Sequence, residues 1–340
     1  MKMNIREIAQ LAGVSPATVS LALNNKKGVS DTKRAEILNL AKEYGYKKKP
    51  QVRKPKTAEE IHIVRCSTDG DQDIGNLELY SQLISHLYDI CITKNYRTNI
   101  TMCNELNFQK NISKLANQSE GGIVLIGTTL TRDQMEYLEQ QDFSNVPLVV
   151  IDNSMLHKRI CSVSGDDYNA SDTALQYLHK KGVRSVGYLK CSTRFAKFCD
   201  RERGFRDFSE KLGIRNDLCF SLSTSINSMY AQMRNYFSSL TTFPEAFYAE
   251  SSVLSIVAVR VLNELKKRVP EDIEIISGDD LLLRSTGLST IPAITSAYGA
   301  MCQIAISTIE NKLKRSDTRS SVEHISLSNR LAAGFDPAYL

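Results

Sequence analysis

Apolar residues recur along this chain with two different periods. Over the first 46 residues the spacing is helical and falls into three groups. Ile5, Ile8, Ala9 and Ala12 share one face, Val19, Ala22 and Leu23 a second, and Ala35, Ile37, Leu38, Ala41 and Tyr44 a third. Breakers separate the groups. Gly13 accepts the backbone angles of a tight turn, Ser15 is a good N-cap, and Pro16 stands at a first helical position, where its missing N–H costs nothing. Asn4 and Ser30 are placed to cap the first and third helices, and Gly45 ends the third. Two short helices joined by a glycine turn make a helix-turn-helix, whose second helix suits a major groove, although helical hairpins also occur in proteins that never meet DNA.

From residue 61 the pattern changes. Short apolar runs at 61–66, 98–102, 122–126, 147–151, 186–189, 246–249 and 273–277 alternate with amphipathic stretches at 79–94, 132–141, 168–181, 203–212 and 253–267. Such alternation predicts parallel sheets covered by helices, and the length suits two of them. The fold class expected is therefore α/β: a three-helix head at 1–46, a linker at 47–60 and a body at 61–340 built on two such sheets.

Charge sharpens the division between head and body. The net +5 of the 340 residues conceals thirteen basic against four acidic residues in 1–57, a net +9, which leaves −4 on the rest. A basic head on a mildly acidic body is the footprint of a polyanion binder. Residues 47–56 alone carry Lys47, Lys48, Lys49, Arg53, Lys54 and Lys56. The run reads either as a solvated tether or as a phosphate-binding arm. The eight cysteines contain no CxxC pair and the five histidines are isolated, so reduced buried thiols are expected and neither a metal nor a cofactor. No apolar stretch reaches the ~18 residues of a membrane span. The first residues lack a secretion signal, which points to a cytoplasmic protein. There is no GxGxxG after a strand, no P-loop and no GxSxG elbow, so an enzyme is not expected.

The string NIREIAQLAGVSPATVSLALN at 4–24, followed by Val29-Ser30 and Glu43-Tyr44-Gly45-Tyr46, closely resembles the headpiece of the lactose/galactose-repressor (LacI/GalR) family. That resemblance implies a sequence-specific transcriptional regulator, acting as a repressor on double-stranded operator DNA. It places Ser15, Pro16, Ala17, Thr18, Ser20 and Leu21 against the operator. The three hydroxyls suit phosphate oxygens, while Pro16, Ala17 and Leu21 stand where relatives read base edges. Many relatives carry Arg at the position of Leu21; here only an apolar contact, for instance to a thymine methyl, is on offer. The linker departs from the family. Relatives have Pro-Asn, two residues, then Ala-Arg-x-Leu as a hinge helix, whereas this chain has Pro50-Gln51-Val52-Arg53-Lys54-Pro55. Electrostatic anchoring by Lys47, Lys48, Lys49 and Arg53 is expected instead.

The resemblance continues through 79–84, 120–127, 147–152, 201–205, 277–280 and 291–295, landmarks of the family's periplasmic-binding-protein-like core, which makes the body two Rossmann-like subdomains. It implies a small-molecule effector, a sugar or sugar derivative, held between the two subdomains of a homodimer. Tyr80, Asp152, Arg201, Glu250 and Asp279 are its candidate contacts, with Phe195, Phe198 and Tyr298 as further aromatic candidates. Each has a plainer reading: Arg201 as a surface charge, Asp279 as a helix cap, Tyr80 as core. Segment 69–77 resembles a branch that regulates β-galactoside use. An alternative keeps the DNA binding but switches through a protein corepressor docked on the body.

Overall fold

Three short helices open the chain: α1 (Ile5–Leu11), α2 (Pro16–Leu23) and α3 (Asp31–Glu43). The computed structural model describes residues 5–23, 29–44, 59–66, 74–117, 121–154, 159–315 and 322–332. The chain divides into two units, Met1–Thr57 and Ala58–Leu340. The first unit closes around Ile8, Ala9, Ala12, Val19, Ala22, Ile37 and Ala41. Gly13 takes φ +64° in the turn, and the Thr18 N–H donates to Ser15 Oγ at 3.1 Å, so that Ser15 caps α2. Lys33 N–H reaches Ser30 Oγ at 3.4 Å in the same role for α3. Arg34 of α3 donates to the carbonyls of Ala22 (3.3 Å) and Leu21 (3.5 Å), which α2 leaves without helical partners at its end. Leu38 and Tyr44, on the inner stripe by spacing, are exposed. Two short helices are too narrow to cover the whole apolar face of α3.

The body alternates strand and helix. The order is β1 (Glu60–Cys66), α4 (Ile74–Thr93), β2 (Arg97–Cys103), α5 (Phe108–Ala116), β3 (Gly122–Ile126), α6 (Arg132–Gln140), β4 (Leu148–Ile151) and β5 (Cys161–Gly165). There follow α7 (Asp167–Lys180), β6 (Val186–Cys191), α8 (Ala196–Leu212), β7 (Cys219–Leu222), α9 (Ile226–Ser239), β8 (Ala246–Ala249), α10 (Ser252–Glu264) and β9 (Glu274–Ser277). Last come β10 (Ala293–Thr295), α11 (Tyr298–Arg315), β11 (His324–Leu327) and β12 (Arg330–Ala332).

The strands form two six-stranded sheets, ordered β11-β5-β4-β3-β1-β2 and β12-β10-β9-β8-β6-β7. Pairing is parallel except for β12 on β10. The chain passes between the sheets three times: from β5 to α7, from β10 to α11, and from β11 to β12. Each sheet is covered on both faces, by α4 and α11 against α5 and α6 in the first, and by α7 and α8 against α9 and α10 in the second. This is a pair of Rossmann-like subdomains, in which ligands lie beyond the C-terminal strand ends. Among the described residues no helix is long and apolar enough to cross a membrane.

Candidate functional site

Beyond the C-terminal strand ends the two halves bring their polar side chains together. In the first half, Asp152 directly follows β4, a non-glycine residue at φ +57°, held there because Thr128 Oγ1, beyond β3, donates to its carboxylate at 2.5 Å. Gly127 lets the two loops approach, since a Cβ there would lie 2.7 Å from the Val150 side chain and 2.9 Å from that of Asn153. Tyr80 projects from α4; its hydroxyl donates to the Cys66 carbonyl at 3.0 Å and meets Thr129 Oγ1 at 3.0 Å. The Arg65 guanidinium stacks 4.0 Å from its ring centroid.

In the second half the decisive element is α8. It begins at residue 196 and not at 203, the start of the amphipathic stretch in the sequence, so Lys197 and Arg201 lie one helical turn apart. Lys197 crosses between the halves, its ammonium donating to Asp152 at 3.3 Å from a side chain only 9% exposed. A second crossing runs from Ser154 Oγ to Asp200. Arg201 is 2% exposed. Its Nε and Nη2 each lie 2.8 Å from Asp167 Oδ1, and its Nη1 donates to the Glu250 carbonyl. Two glycines allow the close packing around it, one between α8 and α7 and one beside the guanidinium. A Cβ on Gly204, three residues further on, would stand 2.3 Å from the Tyr168 carbonyl, and one on Gly278 would stand 3.0 Å from Arg201 Nη1. Asp279 accepts from the N–H groups of Ser252 (3.2 Å) and Leu281 (3.3 Å) at the start of α10 and just past β9.

The electrostatics follow from burial. Burial pulls the Arg201 guanidinium down, but Asp167 overrides it and holds the group charged. Burial pushes Asp167 up against the opposing pull of Arg201 and Lys197. Burial, then the carboxylates of Asp152 and Asp279, raise Tyr298 well above its ordinary range, which leaves its phenol a proton donor. That phenol thus shares one neighbourhood with Asp152, Asp279, Arg201 and Asp167.

The candidates read from the sequence divide accordingly. Asp152, Arg201, Asp279 and Tyr298 are brought together. Arg201 is no surface charge, and Asp279 does serve the start of a helix. Tyr80 lies in the core of the first half, tied to the end of β1. Glu250 is fully buried, and its two oxygens accept from Tyr188 Oη (2.9 Å), Cys191 N–H (2.8 Å) and Arg194 (2.8 and 3.0 Å). Its carboxylate is spent inside the second half and not presented to the cleft. Phe195 and Phe198 pack into the apolar core beside α9 and α10. Lys197, Thr128 and Asp167 were not among those candidates. The one signal for Lys197 was its place four residues before Arg201.

In the head, Ser15 and Pro16 are exposed, Thr18 and Leu21 half-buried. The Ser15 and Thr18 hydroxyls meet at 2.9 Å. Ala17 and Ser20 belong to α2, and Lys47, Lys48, Lys49 and Arg53 lie outside the described residues.

Comparison with known proteins gives this geometry its context. Residues 4–49 match the model of bacterial regulatory proteins of the lacI family, and 175–334 match a periplasmic binding protein-like domain. The HTH-type transcriptional regulator GalR of Streptococcus thermophilus is 28% identical over 319 residues, 91% of this chain and 92% of that protein. Among solved structures, the transcriptional regulator CelR–cellobiose complex superposes with a TM-score of 0.67 at 18% identity, over 97% of this chain and 98% of that one. The lac repressor dimer bound to operator and the anti-inducer ONPF gives 0.68 at 18%, over 98% of each. Helix-turn-helix head, doubly wound two-sheet body and matching models agree: the chain belongs to the LacI family of bacterial transcriptional regulators.

Proposed function

We propose that this regulator binds operator DNA as a homodimer and that an uncharged or weakly charged sugar, seated between the two halves of the body, sets its DNA affinity. The observation that supports the effector reading is the Lys197–Asp152 contact, a buried ion pair that joins the halves where their strands end. A sugar hydroxyl both accepts and donates, so it suits a place between an ammonium and a carboxylate. Asp279 keeps lone pairs beyond its two backbone donors and is suited to a pair of adjacent hydroxyls. A ligand that favours one angle between the halves shifts the population of body conformations, and through it the spacing of the two heads. The similarity to a regulator solved with cellobiose points the same way.

On the DNA side, the reading assigns Ser15, Thr18 and Ser20 to phosphates and Pro16, Ala17 and Leu21 to base edges, with Lys47, Lys48, Lys49 and Arg53 as a basic arm on the backbone. The test is a thermal-shift screen of the full chain against neutral mono- and disaccharides, galactosides included, beside their phosphates and uronates. A neutral sugar at 100 times its Kd adds ~2.7 kcal/mol and raises the midpoint visibly. The shift should vanish in Asp279→Asn and fall in Lys197→Met. A flat screen with every sugar sinks the effector assignment and leaves family membership untouched.

A further inference from the structure

Cys66 and Cys103 are the last residues of β1 and β2, neighbouring parallel strands, and they stand directly opposite each other in register. Adjacent strands run ~4.7–4.9 Å apart, inside the ~4.4–6.8 Å window of Cα separations that a disulfide spans. Directly opposed side chains leave the same face of the sheet, so the two sulfurs share one site. Both cysteines are reduced and buried in the structure, beside Phe108 and Ile112 of α5. Asn111 of α5 donates its amide to Cys103 Sγ at 3.5 Å.

We propose that Cys66 and Cys103 form a dithiol site that hydroperoxides oxidise reversibly to a disulfide at the rim of the cleft. The chemistry of the pair is asymmetric. The hydrogen bond from the Cys66 thiol, with that of the Asn111 amide beside it, brings Cys103 down to about 7 against the effect of burial, whereas Cys66 is raised by the same contact and by burial. A thiol titrating near ambient pH is the better attacking nucleophile. The Cys103 thiolate attacks the peroxide, an S–O bond forms as the O–O bond breaks, and the alcohol leaves with one proton. Cys66 then attacks the sulfenic sulfur; the S–S bond forms, the S–O bond breaks, and the hydroxide departs with the Cys66 proton as water. Two thiols are oxidised and one peroxide is reduced to an alcohol and water.

Opposed positions in a parallel pair hold their Cβ atoms further apart than the ~3.8 Å a relaxed bridge prefers, so closure draws the two strand ends together. Strained disulfides are the easily reduced ones, which makes the site reversible. The movement reaches the cleft directly. The Cys66 carbonyl accepts from Tyr80 Oη at 3.0 Å and from Thr129 Oγ1 at 2.9 Å, so displacing the end of β1 loosens the floor of the first half. Weaker sugar binding in the oxidised protein therefore follows; this consequence rests on the effector reading, while the disulfide itself does not.

The test uses the full chain with the exposed Cys199 and Cys219 replaced by serine. After stoichiometric hydrogen peroxide, the remaining thiols are alkylated in denaturant and the peptides mapped by mass. The expected result is a Cys66–Cys103 linked peptide, loss of two alkylatable thiols per chain, and recovery of both with dithiothreitol. Cys103→Ala should abolish the linked peptide; where that variant fails to fold, the map of the parent decides alone. Alkylation of both cysteines after peroxide, or Cys103 found as sulfinic acid with Cys66 still free, overturns the proposal. Neither outcome depends on any sugar being identified.

Discussion

The two halves of the body share a strand order and differ in what they place at the same strand ends. The first half offers hydroxyls around one carboxylate: Tyr80, Thr128 and Thr129 near Asp152. The second offers ion pairs that are already made, Arg201 with Asp167 and Arg194 with Glu250 and Glu202. Buried ions demand partners whether or not a ligand is present, whereas hydroxyls can exchange one partner for another cheaply. The second half is thus a fixed wall and the first an adjustable one, and Lys197 is the cation that reaches across. Topology repeated by the fold has been given two separate jobs by side chains at its loops.

Arg201→Met breaks this contrast most severely. It keeps the volume of the side chain but leaves Asp167 buried without its cation, at a cost of ~3–5 kcal/mol. Urea unfolding of the full chain should show the midpoint falling with the slope unchanged. Without the guanidinium, the folded-state pKa of Asp167 rises further above its unfolded value. Stability in the variant should then recover as pH falls through that raised value, since the folded state takes up the proton first. Adding Asp167→Asn should restore part of the loss at neutral pH. A single variant as stable as the parent would mean that the wall does not depend on this pair.

Much of the contrast was hidden in the sequence, and the reason is physical. The seven apolar runs read as strands all lie on strands of the structure, six because buried parallel strands are rich in apolar residues, and the seventh, on the largely exposed edge strand β2, through its β-branched Thr98, Ile100 and Thr101. The head was equally legible, since Gly13, Ser15 and Pro16 are local signals that need no distant partner. β7, β11 and β12 were not, being short edge strands with exposed residues, and β5, CSVSG, is fully buried while reading as polar. In the cleft, Arg201, Asp152 and Asp279 were found through a family motif. Their partners Asp167 and Lys197 were not, because pairings between residues 34 and 45 apart in sequence are made by tertiary folding alone. Glu250 illustrates the converse: its place after β8 suggested a ligand contact, and only the fold reveals that Tyr188, Cys191 and Arg194 already occupy it.

On the adjustable side the effects should be smaller. Thr128→Val removes the hydroxyl that donates to Asp152, a hydrogen bond to a charged acceptor worth ~1.5–3 kcal/mol. Its larger consequence falls on binding, because Asp152 is then free to leave its φ +57° conformation, and the sugar-dependent thermal shift should shrink. Tyr80→Phe removes one hydrogen bond while the Cys66 carbonyl keeps Thr129, so a loss of ~0.5–1.5 kcal/mol is expected. Urea midpoints rank the three variants. Should Tyr80→Phe equal Arg201→Met, the first half would be as rigidly built as the second and the contrast would fall.

The smallest effect concerns protons. His62 stands on β1 between Ile61 and Ile63 and is 4% exposed. Burial lowers its pKa below 6.5, and the Glu60 carboxylate 3.8 Å away opposes this only in part. The folded first half therefore holds a neutral imidazole where the unfolded chain binds a proton. More protons on the unfolded state mean that stability is full above about 6.5 and falls as pH drops from there through the folded value. Thermal midpoints of the full chain should decline as pH falls below about 6.5, and His62→Gln should flatten the decline. The pairs of the second half act in the opposite sense: burial raises the carboxyls of Asp167 and Glu250, so their contribution to stability grows as pH falls. An unchanged slope in His62→Gln would place the acid sensitivity elsewhere and remove the first half's claim to be the side that responds to its surroundings.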